Sequence, residues 1–208
     1  MKHGIVAILG VFMAVLLALP VMAETEATST NMHPAAGDSG GIVIDTQTPV
    51  LDGGAFSQYD TLFMPGAMAE VNLASSSSWI LEQGDYSNAH YLRLKPGASP
   101  VFVNCPIVSY DSKQGGIKPQ VRYLGLQYKT SGTVEICRIE MWNGYSLVKY
   151  IDFNPPLKST AGWSLQVIDL GGWYWFNRGL TPCLSIRNPS PTYSGEIWIG
   201  GYGARYEW

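Results

Sequence analysis

The sequence predicts an all-β fold, an antiparallel β-sandwich of jelly-roll type in a single domain, and three observations carry that prediction. Apolar and polar residues alternate over short runs, Pro, Gly and Asn punctuate the chain at short intervals, and no amphipathic stretch of helical period follows the first 23 residues. Composition agrees with this reading. Charged residues make up 14% of the chain while Trp and Tyr number 7 and 12, so rings and hydroxyls occupy places that charges hold in an average domain.

The elements follow in order. Lys2 and His3, the apolar run from Ile5 to Leu19 and the small residues at Val21 and Ala23 read as a secretory signal (1–23) cleaved after Ala23. That run is short for a bilayer-spanning helix and no second apolar stretch of about 18 residues follows, so a secreted, extracytoplasmic chain without a transmembrane helix is expected. Residues 24–41 are rich in Thr, Ser, Ala and Gly with few apolar anchors, the composition of a flexible lead-in. The β-sandwich domain then occupies 42–208.

Within it, strands are expected at Ile42 to Asp45, Ala69 to Ala74, Ala89 to Leu94, Pro100 to Asn104, Val121 to Lys129 and Thr133 to Trp142. Further strands are Tyr145 to Phe153, Leu165 to Leu170, Trp173 to Phe176, Cys183 to Arg187 and Glu196 to Ile199. Thr130-Ser131-Gly132 joins the clearest pair. Asn143-Gly144 reads as a type I′ hairpin turn, whose two central residues need positive φ, a conformation Asn tolerates and Gly adopts freely.

Three segments also carry a likeness. They are Val101-Phe102-Val103-Asn104-Cys105-Pro106-Ile107-Val108, the turn Met141-Trp142-Asn143-Gly144 with the strand Leu147 to Phe153, and the ending Gly201-Tyr202-Gly203-Ala204-Arg205-Tyr206 after Ile197-Trp198-Ile199. In these the chain resembles a loosely defined family of exported all-β proteins of similar length and unknown function. The resemblance implies the fold and brings no catalytic residues.

Charge and chemistry narrow the function. With 13 basic and 16 acidic residues, a formal net charge of −3 and no Lys/Arg cluster, nucleic acid is excluded as a partner. Outside the signal the histidines are His33, in the lead-in, and His90, which shares a strand face with Leu92 and Leu94 and reads as structural. There is no Gly-x-Ser-x-Gly elbow and no zinc-ligand spacing, so neither a metal nor a cofactor is expected. Glycoside hydrolysis needs only two carboxylates across a cleft. Glu135 and Glu140, at odd separation in one strand, should face opposite ways, and Glu196 and Asp169 stand out only by their aromatic neighbours. The expectation is a protein that is not an enzyme.

Export favours a disulfide among Cys105, Cys137 and Cys183. Cys137 and Cys183 both fall inside strands, which makes them the preferred pair, with three buried thiols as the alternative. The strongest binding signal is aromatic. Sugar rings present apolar C–H faces that stack on Trp and Tyr, and Trp173-Tyr174-Trp175-Phe176 places Trp173 and Trp175 on one strand face and Tyr174 and Phe176 on the other. One pair belongs to the core. The other could form an exposed strip with Trp142, Tyr145 and Trp163, and these five are the candidate ligand-binding residues.

The leading expectation is a secreted binding module for a glycan or cell-envelope component. One alternative is an assembly protein working through edge strands. Another is a small outer-membrane β-barrel, for which the alternation Tyr202, Ala204, Tyr206, Trp208 speaks and the short strands speak against.

Overall fold

Residues 43–44 and 56–208 are described by the structure, a computed structural model. The expectations for residues 1–23 and 24–41, His33 included, lie outside the described residues. Twelve described strands run in chain order: β1 Val43–Ile44, β2 Tyr59–Pro65, β3 Glu70–Val71, β4 Ile80–Tyr86, β5 Ala89–Leu94 and β6 Val101–Asn104, then β7 Gln120–Thr130, β8 Glu135–Asn143, β9 Ser146–Leu157, β10 Ser164–Tyr174, β11 Leu180–Arg187 and β12 Gly195–Glu207. They form two open sheets, ordered β1-β9-β8-β11-β6-β3 and β10-β7-β12-β5-β4, with β2 added to β12. The fold is therefore the expected all-β sandwich. Both sheets end in edge strands, which a closed barrel would not have.

β12 organises the second sheet. Its 13 residues pair with β7 along their length, while the other side is shared by β5, against Gly195 to Ile199, and β2, against Gly201 to Glu207. Alternation then sorts the side chains. Ile197, Ile199, Tyr202, Ala204 and Tyr206 point inward with Leu124, Leu126 and Tyr128 of β7 and Leu92 and Leu94 of β5. The first sheet answers with Val101, Val103, Ile136, Ile139, Met141, Leu184 and Ile186, and this double layer is the core. His90 is buried beside Leu92, with Nδ1 2.7 Å from Asp85 Oδ1, in keeping with a structural role.

Several local expectations are corrected. β7 and β8 do not form a hairpin, because the Thr130-Ser131-Gly132 link carries the chain from one sheet to the other. The β8–β9 hairpin exists, but Asn143 pairs with Ser146, so the central residues are Gly144 and Tyr145. Of these Gly144 alone has positive φ (62°), the type II′ pattern. The type I′ turn lies instead at Ser87-Asn88 (φ 49° and 69°), closing the β4–β5 hairpin. Ala69 to Ala74 yields only the two residues of β3 before a single helical turn, α1, at Leu73–Ser76. Finally, a β-bulge at Cys137 shifts the register of β8 against both neighbours. That extra residue puts Glu135 and Glu140 on the same outer face, opposite Arg187 and Cys183, so the odd-separation argument fails here.

Candidate functional site: the aromatic face of the second sheet

On the outside of the second sheet one cross-strand row runs through four strands: Gly84 of β4, Tyr91 of β5, Trp198 of β12 and Lys129 of β7. Burial of Leu92, Ile197, Ile199 and Tyr128 fixes these neighbours outward, since successive strand residues point to opposite faces. Trp163, just before β10, continues the row. The rings are in contact: Tyr91 stacks on Trp198 (centroids 5.0 Å, interplanar angle 23°) and Tyr86 meets Trp198 edge-on at 6.2 Å. The Lys129 ammonium lies 4.3 Å from the Trp198 ring and 5.0 Å from the Trp163 ring, bridging the two indoles.

Glycines seat these rings. A Cβ on Gly84 would lie 3.3 Å from the Tyr91 ring, and one on Gly200 would lie 2.7 Å from the Trp163 ring. The Phe63 ring of β2 spans Gly201 and Gly203, whose Cβ atoms would come within 2.3 and 2.8 Å of it. With no side chain beneath, each ring settles onto the backbone and turns its other side outward. Tyr86 is 68% exposed, Trp163 47% and Phe63 37%, whereas Tyr91 and Trp198 are half-buried. Clustered exposed rings of this kind make the face the candidate site.

Polar groups orient the array. The Trp198 indole N–H donates to Glu196 Oε2 at 3.4 Å. The Tyr91 phenol donates to Glu82, and that hydrogen bond first, with burial second, pushes its pKa up, so the ring keeps its proton across the neutral range. The chemistry on offer is stacking plus hydrogen bonding.

Of the five aromatic residues singled out by sequence, only Trp163 lies on this face. Trp142 points out from the first sheet, where its indole N–H donates to Glu140 Oε2 at 3.1 Å. Tyr145 is exposed at the β8–β9 turn beneath the Arg178 guanidinium, 5.3 Å away. Trp173 is buried between Phe56 (4.6 Å) and Tyr123 (6.2 Å), and Trp175, beyond the end of β10, donates its indole N–H to Asp111 O at 3.0 Å. Tyr174 and Phe176 are the core pair. Trp173 falls in the irregular stretch between Asp169 and Tyr174 and is covered by Phe56 and Tyr123, and Trp175 lies beyond the strand, so the expected exposed strip is not formed. Trp198 and Tyr91 were missed, although Ile197 and Ile199 on one side and Leu92 and Leu94 on the other mark both as outward-facing.

The carboxylates considered for hydrolysis are held by neighbours. Glu135 binds Arg187 and Lys158 at 2.7 Å each, and Asp169 takes a two-pronged bond from Arg122 at 2.9 and 2.8 Å. The favoured disulfide is not formed: Cys105, Cys137 and Cys183 are free thiols. The bulge turns Cys137 Sγ towards Ser185, donating to its carbonyl at 3.2 Å, while Cys183 stands opposite Glu140 and Asn104. Among the described residues no cluster of three His, Cys, Asp or Glu side chains could hold a metal ion, and no helix is long and apolar enough to cross a membrane.

No family model and no curated protein matches the chain. Among solved structures it is similar to a family 29 carbohydrate-binding module complexed with cellulohexaose (11% identity, TM-score 0.40, covering 73% of this chain and 93% of that one). It is also similar to a family 29 module from Piromyces equi (10%, 0.41, 71% and 89%). A third is the N-terminal cellulose-binding domain of a Cellulomonas fimi β-1,4-glucanase (13%, 0.34, 76% and 96%). The reading of the aromatic face rests on its own residues.

Proposed function

We propose that this protein is a non-catalytic glycan-binding module, exported after removal of residues 1–23, and that the second sheet's outer face is its binding surface. The observation that carries the reading is the outward aromatic cluster of Tyr86, Tyr91, Trp198 and Trp163 around Lys129, in which Tyr91 and Trp163 lie over Gly84 and Gly200. An extended sugar chain laid across the strands would stack its C–H faces on Trp198 and Trp163. Its hydroxyls would find Glu82, Glu196, Gln127 and Lys129 alongside.

Intrinsic tryptophan fluorescence of the purified protein, titrated with a panel of soluble polysaccharides, is the direct test. A saturable shift is expected with at least one glycan. Trp198→Ala and Trp163→Ala should each weaken it by about tenfold, the scale of one lost aromatic contact, while circular dichroism stays unchanged. Absence of a saturable shift across the panel, or full affinity in both variants, would overturn the reading.

A further inference from the structure

Lys129 is the positive charge of its row, and its ammonium is bridged to rings rather than to an acid. Elsewhere Lys113, Arg122, Arg138, Lys158, Arg187 and Arg205 each hold a carboxylate within 2.6 to 2.8 Å. Among the described residues Lys129 has no such partner. On the same face Glu82 and Glu196 stand in the neighbouring row, in register with Arg93 from the strands on either side. Glu196 also accepts the Trp198 indole N–H, and Glu82 accepts the Tyr91 phenol.

An ammonium between two half-exposed indoles retains most of its hydrogen-bonding capacity, because a ring face takes up charge without accepting all three N–H donors. We propose, resting on the glycan reading above, that the ligand is an acidic glycan bearing uronate carboxylates. One carboxylate pairs with Lys129 while the flanking sugar rings stack on Trp198 and Trp163. The charge selects and the rings hold. A charge-assisted hydrogen bond made beside two indoles gives a preference of about tenfold for the acid over its neutral ester.

Hexagalacturonate and its fully methyl-esterified form share the same rings and linkage and differ in charge, which makes them the probes. Titrated against the purified protein by tryptophan fluorescence and calorimetry, the acid should bind about tenfold tighter at low salt, with the ratio shrinking as ionic strength rises. Lys129→Met, which keeps the aliphatic stem between the indoles, should bring the ratio near one, and Lys129→Arg should restore it. Equal binding of acid and ester by the unmodified protein would overturn the acidic-ligand inference and leave the glycan reading standing. Silence with both probes and with every neutral glycan would overturn both.

Discussion

Glu135 is the residue where burial and charge are most at odds. Its side chain is 6% exposed, yet Lys158 and Arg187, its two partners, are 43% and 46% exposed. Burial alone pulls its carboxyl upward, but the hydrogen bonds from Lys158 and Arg187 outweigh that pull and hold it below the ordinary value of 4.5. A carboxyl depressed in the folded state contributes stability above its unfolded pKa and loses it as pH falls through the lower folded value. Glu135→Gln should therefore cost about 1 kcal/mol at pH 7, since both cations left behind can hydrate, and the gap to the unmodified protein should close below pH 4.5. The reverse deletion is worse. Lys158→Met with Arg187→Met strands the carboxylate in a buried site at about 3 kcal/mol, and the unpaired group, now raised by burial, penalises folding as pH rises above 4.5. Urea melts at pH 3.5 and 7 check both arms. Opposite pH slopes support this account, and parallel ones would sink it.

At the scale of the element, β12 separates two uses of glycine within four residues. A Cβ on Gly203 would stand 2.3 Å from the Leu62 carbonyl oxygen, a backbone atom fixed by the β2–β12 pairing. A Cβ on Gly200 would meet only side chains, Trp163 at 2.7 Å and Gln127 at 2.8 Å. Gly203→Ala should therefore force β2 off the sheet and cost about 2 kcal/mol by urea denaturation. Gly200→Ala should change stability by less than about 1 kcal/mol, because side chains can swing aside, but it should displace Trp163 and lower the fluorescence response to glycan. If Gly203→Ala melts like the unmodified protein, β2 is not held as tightly as the register indicates. Sequence made these elements partly legible. Of the strands expected from Ala89 onward, all but Trp173 to Phe176, whose first two residues only close β10, coincide with an observed one, because alternation and Gly or Pro boundaries are local signals. β2 and β4 were overlooked, since Tyr59 to Pro65 mixes Asp, Thr and Pro with its apolar residues and Ile80 to Tyr86 is interrupted by Gly84. Bulges and long-range covers were invisible. One extra residue at Cys137 brought Glu135 and Glu140 to one face, and Phe56, remote in sequence, covers Trp173.

For the molecule as a whole, the two outer faces divide the chemistry. The first sheet's face is knitted by charge, with Arg138 clamped to Asp152 at 2.6 and 3.1 Å and stacked over Tyr150, and Glu140 held by Trp142. The second sheet carries its ion pairs, Arg122 with Asp169 and Arg205 with Glu207, away from the row of Tyr91, Trp198, Lys129 and Trp163, where the lysine meets rings instead. That division was out of reach from sequence, because which strands share a sheet is decided by long-range pairing: neighbours along the chain, β7 and β8, went to different sheets. The same long-range geometry decides the thiols. Cys105 is buried at the core with its thiol pushed up by burial, and burial also pushes Cys183 up to about 12, so both are shielded and poorly ionised at neutral pH. Cys137, half-buried and donating to the Ser185 carbonyl, is the accessible one. An Ellman titration of the native protein without reductant should thus find at most one slowly reacting thiol, and three after denaturation in guanidinium. A count of one in the denatured chain would mean that an intramolecular disulfide has formed, against the three free thiols seen. Three thiols together with a melting temperature indifferent to reductant would show that strands β6, β8 and β11 of the first sheet are held by pairing and packing without a cross-link.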